Sequence, residues 1–331
     1  MRFGLTDDQS ALRDGARQML AAACPPDVVR TAWTEPVATC RTVWEQVTEI
    51  GLPGAAVPAD RGGLGLGACE IVPMLEQAGR AAAPVPLVET AFVAGPLLAA
   101  ATGQEENLQR LIDGALIVAC ALDGSVVAPY GAAADLVLSS ASAADGGEIR
   151  LSPDPGVRAT SIDHTRAVTT LATPGDGELI ATGDAAVAAW QRGCLGTAAE
   201  LIGLSRTLLS QTSAYVKDRR QFGVPVGSFQ AIKHHLANAL IAVEFAAPAV
   251  MRAAWSLDND PAHAGRDVAM AKAMASDAAE SVAAIALQCH GAIAYTTEYD
   301  LHLFAKRIWA SSRTWGAPEW QRRRVATAIG L

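Results

Sequence analysis

The 331-residue sequence is poor in charge, and poorest in positive charge. Charged residues make up 18% of it, with 26 Lys and Arg against 34 Asp and Glu and a formal net charge of −8. Binding a nucleic-acid backbone requires a basic face, and this balance argues against one. The one dense basic cluster is Arg322, Arg323 and Arg324. At a helix end such arginines complement the helix dipole or pair with carboxylates. Cysteine is sparse and scattered: Cys24, Cys40, Cys69, Cys120, Cys194 and Cys289 form no CxxC or CxxH pair. In Ala-rich surroundings free thiols behave as small hydrophobes, so neither structural zinc nor disulfides are expected, and the protein reads as reduced and cytoplasmic. No run of 18 apolar residues lacks a charge, so no transmembrane helix is expected. The N-terminus has no apolar stretch ending in a small-residue cleavage site. It reads as a helix started by Thr6, Asp7, Asp8 and Gln9.

Common enzyme signatures are missing as well. There is no GxSxG elbow, HExxH or GxxxxGK[ST], and no Cys/His set at metal spacing. The loop "DRGGLGLG" has the wrong spacing for GxGxxG and no strand before it, so it reads as a turn between helices. The histidines are His164, His234, His235, His263, His290 and His302. The adjacent His234 and His235 read as one packed and one solvated residue on an amphipathic helix.

Hydrophobic residues, at 50%, are plentiful. The length calls for two or three domains rather than one core. Residues 1–112 read as helical, with apolar positions at Leu12, Ala16 and Leu20 and again at Val43, Val47 and Ile50. Residues 113–190 change character. Short apolar or alternating runs such as "ALIVACAL", "ADLVLSS" and "GELIATG" are broken by Gly, Pro and Asp, as in a small β domain. Residues 191–331 are helical again, with wide apolar stripes that predict four long antiparallel helices in a bundle. Ser228 is a plausible N-cap for the second of these helices, Pro248 should kink or end it, and Gly291 should stop the third. The fold class is thus α+β, mainly α: helical domain, middle β domain, helical bundle.

The most informative segment is "YVKDRRQFGVPVGSFQAIKHHLA", residues 215–237. A helix ends at Arg219 and Arg220, a turn follows at Gln221, Phe222 and Gly223, and a new helix opens near Gln230. The guanidinium of Arg219 could take a diphosphate bidentately, and Phe222 could offer its face to an aromatic base. The more ordinary reading is a helix hairpin with a buried Phe and a solvated Arg pair.

"RRQFGVPVGSFQAIKH" closely resembles the signature of the acyl-CoA dehydrogenases, flavoenzymes that oxidise acyl-CoA thioesters to 2-enoyl-CoAs. "LTDDQSALRDGARQML" resembles the family's first helix, and "WEQVTEIGLPGAAVPADRGGLGLG" its W…LGL…VPEEYGGxG stretch. "SIDHTRAVTTL" resembles the end of its β domain, and "QCHGAIAYTTEYDLHLFAKR" its QxHGGxGYTxEYP…R segment. The resemblance runs through nearly the whole chain in order. It implies the family's α–β–α fold and FAD shared at a subunit interface. By that resemblance Arg219 would meet the FAD pyrophosphate and Phe222 the adenine, with Gln221, Gln230, Gln288 and Gly291 at the same end. Ala292 replaces the second Gly of the HGG pattern.

The resemblance fails where the chemistry would be. The family's base is a glutamate in a Glu-Gly-Thr loop, and counting from Thr297, Glu298 and Tyr299 places Trp315 there, followed by Gly316 and Ala317. An indole has no basic lone pair. Members with the base on the first bundle helix would carry it at about Gly193, where Gln191, Arg192 and Cys194 are not carboxylates either. The flavin motif of the middle domain is replaced by "ALDGSVVAPYGAAAD". The chain therefore resembles the smaller, degenerate subunit of actinobacterial heterotetrameric (α2β2) acyl-CoA dehydrogenases, many of which act on steroid-derived thioesters. This implies a larger paralogue as partner, acyl-CoA bound mainly by that partner, and electron-transfer flavoprotein as acceptor. Trp315 would then fill the vestigial pocket. Two other readings stay open: a self-sufficient dehydrogenase with a displaced base at Glu319, Glu298 being the weaker candidate, or a flavin-free scaffold of the same fold.

Overall fold

A computed structural model describes residues 4–331. The N-terminal part is helical: α1 (Asp7–Ala23), α2 (Pro26–Thr34), α3 (Pro36–Thr48), α4 (Ala68–Arg80), α5 (Gly95–Ala100) and α6 (Glu105–Ile112). The start signal of α1 works as a capping box, with Thr6 Oγ1 accepting from the Gln9 N–H at 3.2 Å and Gln9 Oε1 accepting from the Thr6 N–H at 3.0 Å. A fully buried π-helical stretch, Leu87–Ala94, precedes α5. Nothing in the apolar pattern distinguishes it from an α-helix.

The middle part holds seven short strands: β1 (Val118–Ala121), β2 (Val127–Ala128), β3 (Leu136–Ser139), β4 (Ile149–Ser152), β5 (Val157–Arg158), β6 (Thr169–Thr170) and β7 (Glu178–Ala181). One sheet runs β1-β3-β4-β7, with β1 and β3 parallel and the other pairs antiparallel; a second runs β2-β6-β5.

The remainder is α7 (Asp184–Asp218), a hairpin of β8 (Arg220–Gln221) and β9 (Val224–Pro225), then α8 (Gln230–Asn259), α9 (Pro261–His290), α10 (Leu301–Arg313) and α11 (Pro318–Ala328). Residue 190 falls inside α7, which starts at Asp184. α9 packs on α7, α8, α10 and α11.

Three local expectations need correction. Ser228 does not cap α8: Phe229 is the N-cap residue, and the Ser228 hydroxyl donates to Pro225 O at 2.7 Å. The hydroxyl bonds backward into the turn because Val226–Ser228 is a 3-10 turn. Pro248 does not end α8, which runs on to Asn259; neighbouring turns carry the helix past one missing N–H. His234 and His235 are both exposed, since that side of α8 faces away from the bundle. α8 is also long and apolar enough to cross a membrane, by length and composition alone.

Two devices join the three parts. First, α4 and α7 touch backbone to backbone. A methyl on Gly79 would lie 2.1 Å from Glu200 O, and one on Gly203 would lie 2.0 Å from Glu76 O. Second, a buried ionic cluster sits where all three meet. Arg307 of α10 donates to Asp163 and Thr165 of the middle part and to Ala83 O, at 3.1 Å, of the N-terminal part. Burial would raise the Asp163 carboxyl, but Arg307 and Arg166 outweigh it and hold it below its ordinary value. Glu200 faces the same cluster from α7, its carboxyl pushed up to about 8 by burial first and then by Glu89.

Candidate functional site

The sequence singled out two regions, and the fold keeps them apart. The first lies where the β8–β9 hairpin meets the C-terminus of α9. Gly291, at φ 65°, turns the chain out of α9. Here Arg219, Gln221, Gln288 and Gly291 line one open cavity of about 670 Å³, with Tyr215 and Tyr299 on its wall. Tyr215 stacks on His290, centroids 4.2 Å apart, and donates its hydroxyl to His290 O at 3.3 Å. Burial holds the His290 imidazole below its ordinary pKa, and Nδ1 lies 2.8 Å from Ala286 O. The wall is thus aromatic and neutral, with a guanidinium and two amides at the mouth.

Two of the six expected residues do not line that cavity. Phe222 stands at the hairpin tip, 91% exposed, at φ 53°, edge-on to Phe229 with centroids 6.2 Å apart. Gln230 is exposed at the first turn of α8. The cavity offers a cation, amide groups, an aromatic wall and an open approach over Gly291, where an added methyl meets nothing within 4 Å.

The second region is the turn between α10 and α11. Trp315 is 2% exposed and takes φ 61°, with Gly316 at φ 84° after it. Its indole lies flat against Gly193 of α7. A methyl built on Gly193 would sit 2.4 Å from the indole carbons Cε3 and Cζ3. The two positions that the sequence could only count separately are therefore in direct contact. Trp190 tilts against the same indole at 5.6 Å, and Trp320 meets Trp190 edge-on at 5.4 Å. The Trp315 carbonyl accepts from Gln321 Nε2 at 2.7 Å and from the Cys194 thiol at 3.3 Å. Burial pushes the Cys194 thiol up to about 12, so it stays protonated.

No carboxylate enters this pocket from the expected candidates. Glu319 is exposed, and its Oε2 accepts from Arg313 Nη1 at 3.4 Å. Glu298 is exposed too. Sequence reasoning missed Lys272 and Gln321, both fully or nearly buried beside the turn. The available signal was a single lysine in the Ala- and Met-rich run "VAMAKAMAS".

This α–β–α arrangement is that of a flavoenzyme family. The chain matches Acyl-CoA dehydrogenase, N-terminal domain, over residues 6–115 and Acyl-CoA dehydrogenase, C-terminal domain, over residues 184–330. It is 31% identical over 326 residues to acyl-CoA dehydrogenase IpdE2 of Mycobacterium tuberculosis, covering 98% of each chain. Among solved structures it is similar to the Tcur3481-Tcur3483 steroid ACAD G363A variant, with TM-score 0.83, 26% identity and 98% of each chain covered. It also shares its fold with the ChsE4-ChsE5 complex from Mycobacterium tuberculosis, with TM-score 0.85, 24% identity and 99% of each chain covered. The chain belongs to the acyl-CoA dehydrogenase family.

Proposed function

We propose that this chain is the non-catalytic subunit of a heteromeric, FAD-dependent acyl-CoA dehydrogenase. The observation that carries the reading is the Trp315–Gly193 contact. Both positions where the family places its base are occupied by one indole and the glycine that admits it. With a glycine and an indole at those two positions, neither supplies a base, and the chain does not take the α-proton of a thioester through them. The cavity at Arg219, Gln221, Gln288 and Gly291 supports the second half of the reading. It would hold the pyrophosphate and adenine of an FAD whose ring lies in a larger paralogue. When bound there, FAD supplies the hydride acceptor for the partner's α,β-dehydrogenation. This chain's own part is to bind and orient: Arg219 neutralises phosphate charge, and Gln221 and Gln288 offer amides.

The outer face of α8 supports a partner on this side. Leu240 is 50% exposed, Ile241 53% and Phe245 71%, and Phe222 and Phe229 at the hairpin are exposed as well. Several large apolar side chains exposed along one helix support an interaction surface there. The likeness to a steroid ACAD supports a steroid-derived acyl-CoA as the substrate of the assembled complex; electron-transfer flavoprotein as acceptor and a cytoplasmic location belong to the same proposal. In a co-purified complex, Arg219→Ala is expected to weaken FAD binding about ten- to a hundredfold, as for one lost charge-assisted contact. Unchanged FAD affinity, measured by release on dilution, would place the cofactor elsewhere.

A further inference from the structure

Lys272 is a buried cation beside the Trp315 turn. It sits midway along α9, fully buried, and forms no ion pair among the described residues. Its Nζ donates to Ser276 Oγ at 3.0 Å, Ser312 O at 3.0 Å and Ser311 O at 3.4 Å. Those two carbonyls belong to the last turn of α10, where a helix leaves its C=O groups without internal partners. The same end carries the negative pole of the helix dipole, which favours a cation. A lysine of one helix thus closes the end of another.

The residues that follow are Thr314, Trp315 and Gly316. Trp315 holds a left-handed backbone conformation that residues with a side chain rarely adopt, and such a conformation persists only when its surroundings enforce it. Downstream, Gln321 and Cys194 grip its carbonyl. The Trp315 backbone also faces the Asp123 carboxyl, and the Thr314 hydroxyl accepts from Arg166 Nη2 at 3.5 Å; upstream of both, Lys272 holds the last carbonyls of α10. We infer that Lys272 is the lock of the Trp315 loop: by holding the last carbonyls of α10 it keeps the indole seated over Gly193. The inference does not depend on the chain sharing a cofactor.

Charge state gives the lock a signature. Burial pushes the Lys272 ammonium down to about 8. The groups facing it are Cys194 from α7, Glu280 from α9, Arg313 from α10 and Asp123 from the β1–β2 connection. As pH rises through 8 the donor loses its charge and its pull on the α10 carbonyls, so the loop loosens. Global stability moves the other way. An unfolded lysine keeps its proton to about 10.5, so between about 8 and 10.5 the unfolded state binds more protons and this group's contribution rises with pH.

The test labels the protein with 5-fluorotryptophan and follows the Trp315 fluorine resonance, assigned by its loss in Trp315→Phe. The wild type should show a transition near pH 8 that is absent in Lys272→Met. Amide exchange across residues 313–317 should speed up about tenfold in Lys272→Met, while the urea midpoint stays level or rises. The wild-type titration needs no Lys272 variant, so a flat resonance refutes the lock even if Lys272→Met does not fold. A resonance that stays flat from pH 6.5 to 9.5 overturns the lock. So does loop exchange in Lys272→Met equal to that of the wild type.

Discussion

The contact between Trp315 and Gly193 can be measured as a coupling energy. Truncating a buried Trp to Ala costs about 3–5 kcal/mol, and Trp315, at 2% exposed, falls in that class. Placing a methyl on Gly193 sets it 2.4 Å from the indole, closer than real side chains allow, so the ring must move. Overpacking of this kind costs about 1–3 kcal/mol even after the roughly 1 kcal/mol that Ala gains over Gly within a helix. In a Trp315→Ala background the obstacle is gone, and Gly193→Ala should stabilise by about 1 kcal/mol. The cycle therefore predicts a coupling of about 2–4 kcal/mol between the two sites. Urea unfolding of the four proteins, followed by circular dichroism, gives the number. Additivity within about 0.5 kcal/mol would falsify the idea that the indole fills the space over the helix.

Three further outcomes follow from the packing and charge. Gly203→Ala should destabilise by about 3 kcal/mol, because its methyl meets the Glu76 carbonyl at 2.0 Å, whereas Gly15→Ala, with nothing within 4 Å, should be neutral or gain up to about 1 kcal/mol; equal urea midpoints would sink the backbone contact of α4 and α7. Glu200, pushed up to about 8, holds its proton in the folded state above the ordinary value of 4.5, so its stabilising contribution is full below about 4.5 and lost as pH rises through 8. Glu200→Gln should flatten that decline and leave the variant the more stable one at pH 8.5; parallel stability curves from pH 5 to 9 would rule this out. Phe245→Glu, on the exposed face of α8, should leave the melting temperature within a degree or two but abolish co-purification with the larger paralogue; an intact complex on size exclusion would move the interface elsewhere.

Much of the architecture was legible because it rests on local signals. Thr6 and Gln9 announce α1, Gly291 ends α9, and the apolar stripes mark the bundle. Ser228 misled because its hydroxyl found a nearer acceptor in Pro225 O, and of the two outcomes expected at Pro248, a kink or an end, the end did not occur because α8 continued past one missing N–H. The π-helical turn at Leu87–Ala94 has no signature in apolar spacing. At the site, counting along the chain identified Trp315 and Gly193 one at a time, but their contact joins distant segments and appears only when α7 and the α10–α11 turn meet. Lys272 was invisible for the same reason: two of its three partners are backbone carbonyls of a distant segment, which every residue has.

The central claim is that this chain completes a partner's site without running one of its own. Flavin stoichiometry tests it most directly, counted by visible absorbance for the chain purified alone and for the chain co-expressed with the larger paralogue. The account predicts little or no FAD on the chain alone and about one FAD per heterodimer. One FAD per chain in a stable homotetramer made alone would contradict it, and the search for a base would then return to Glu319.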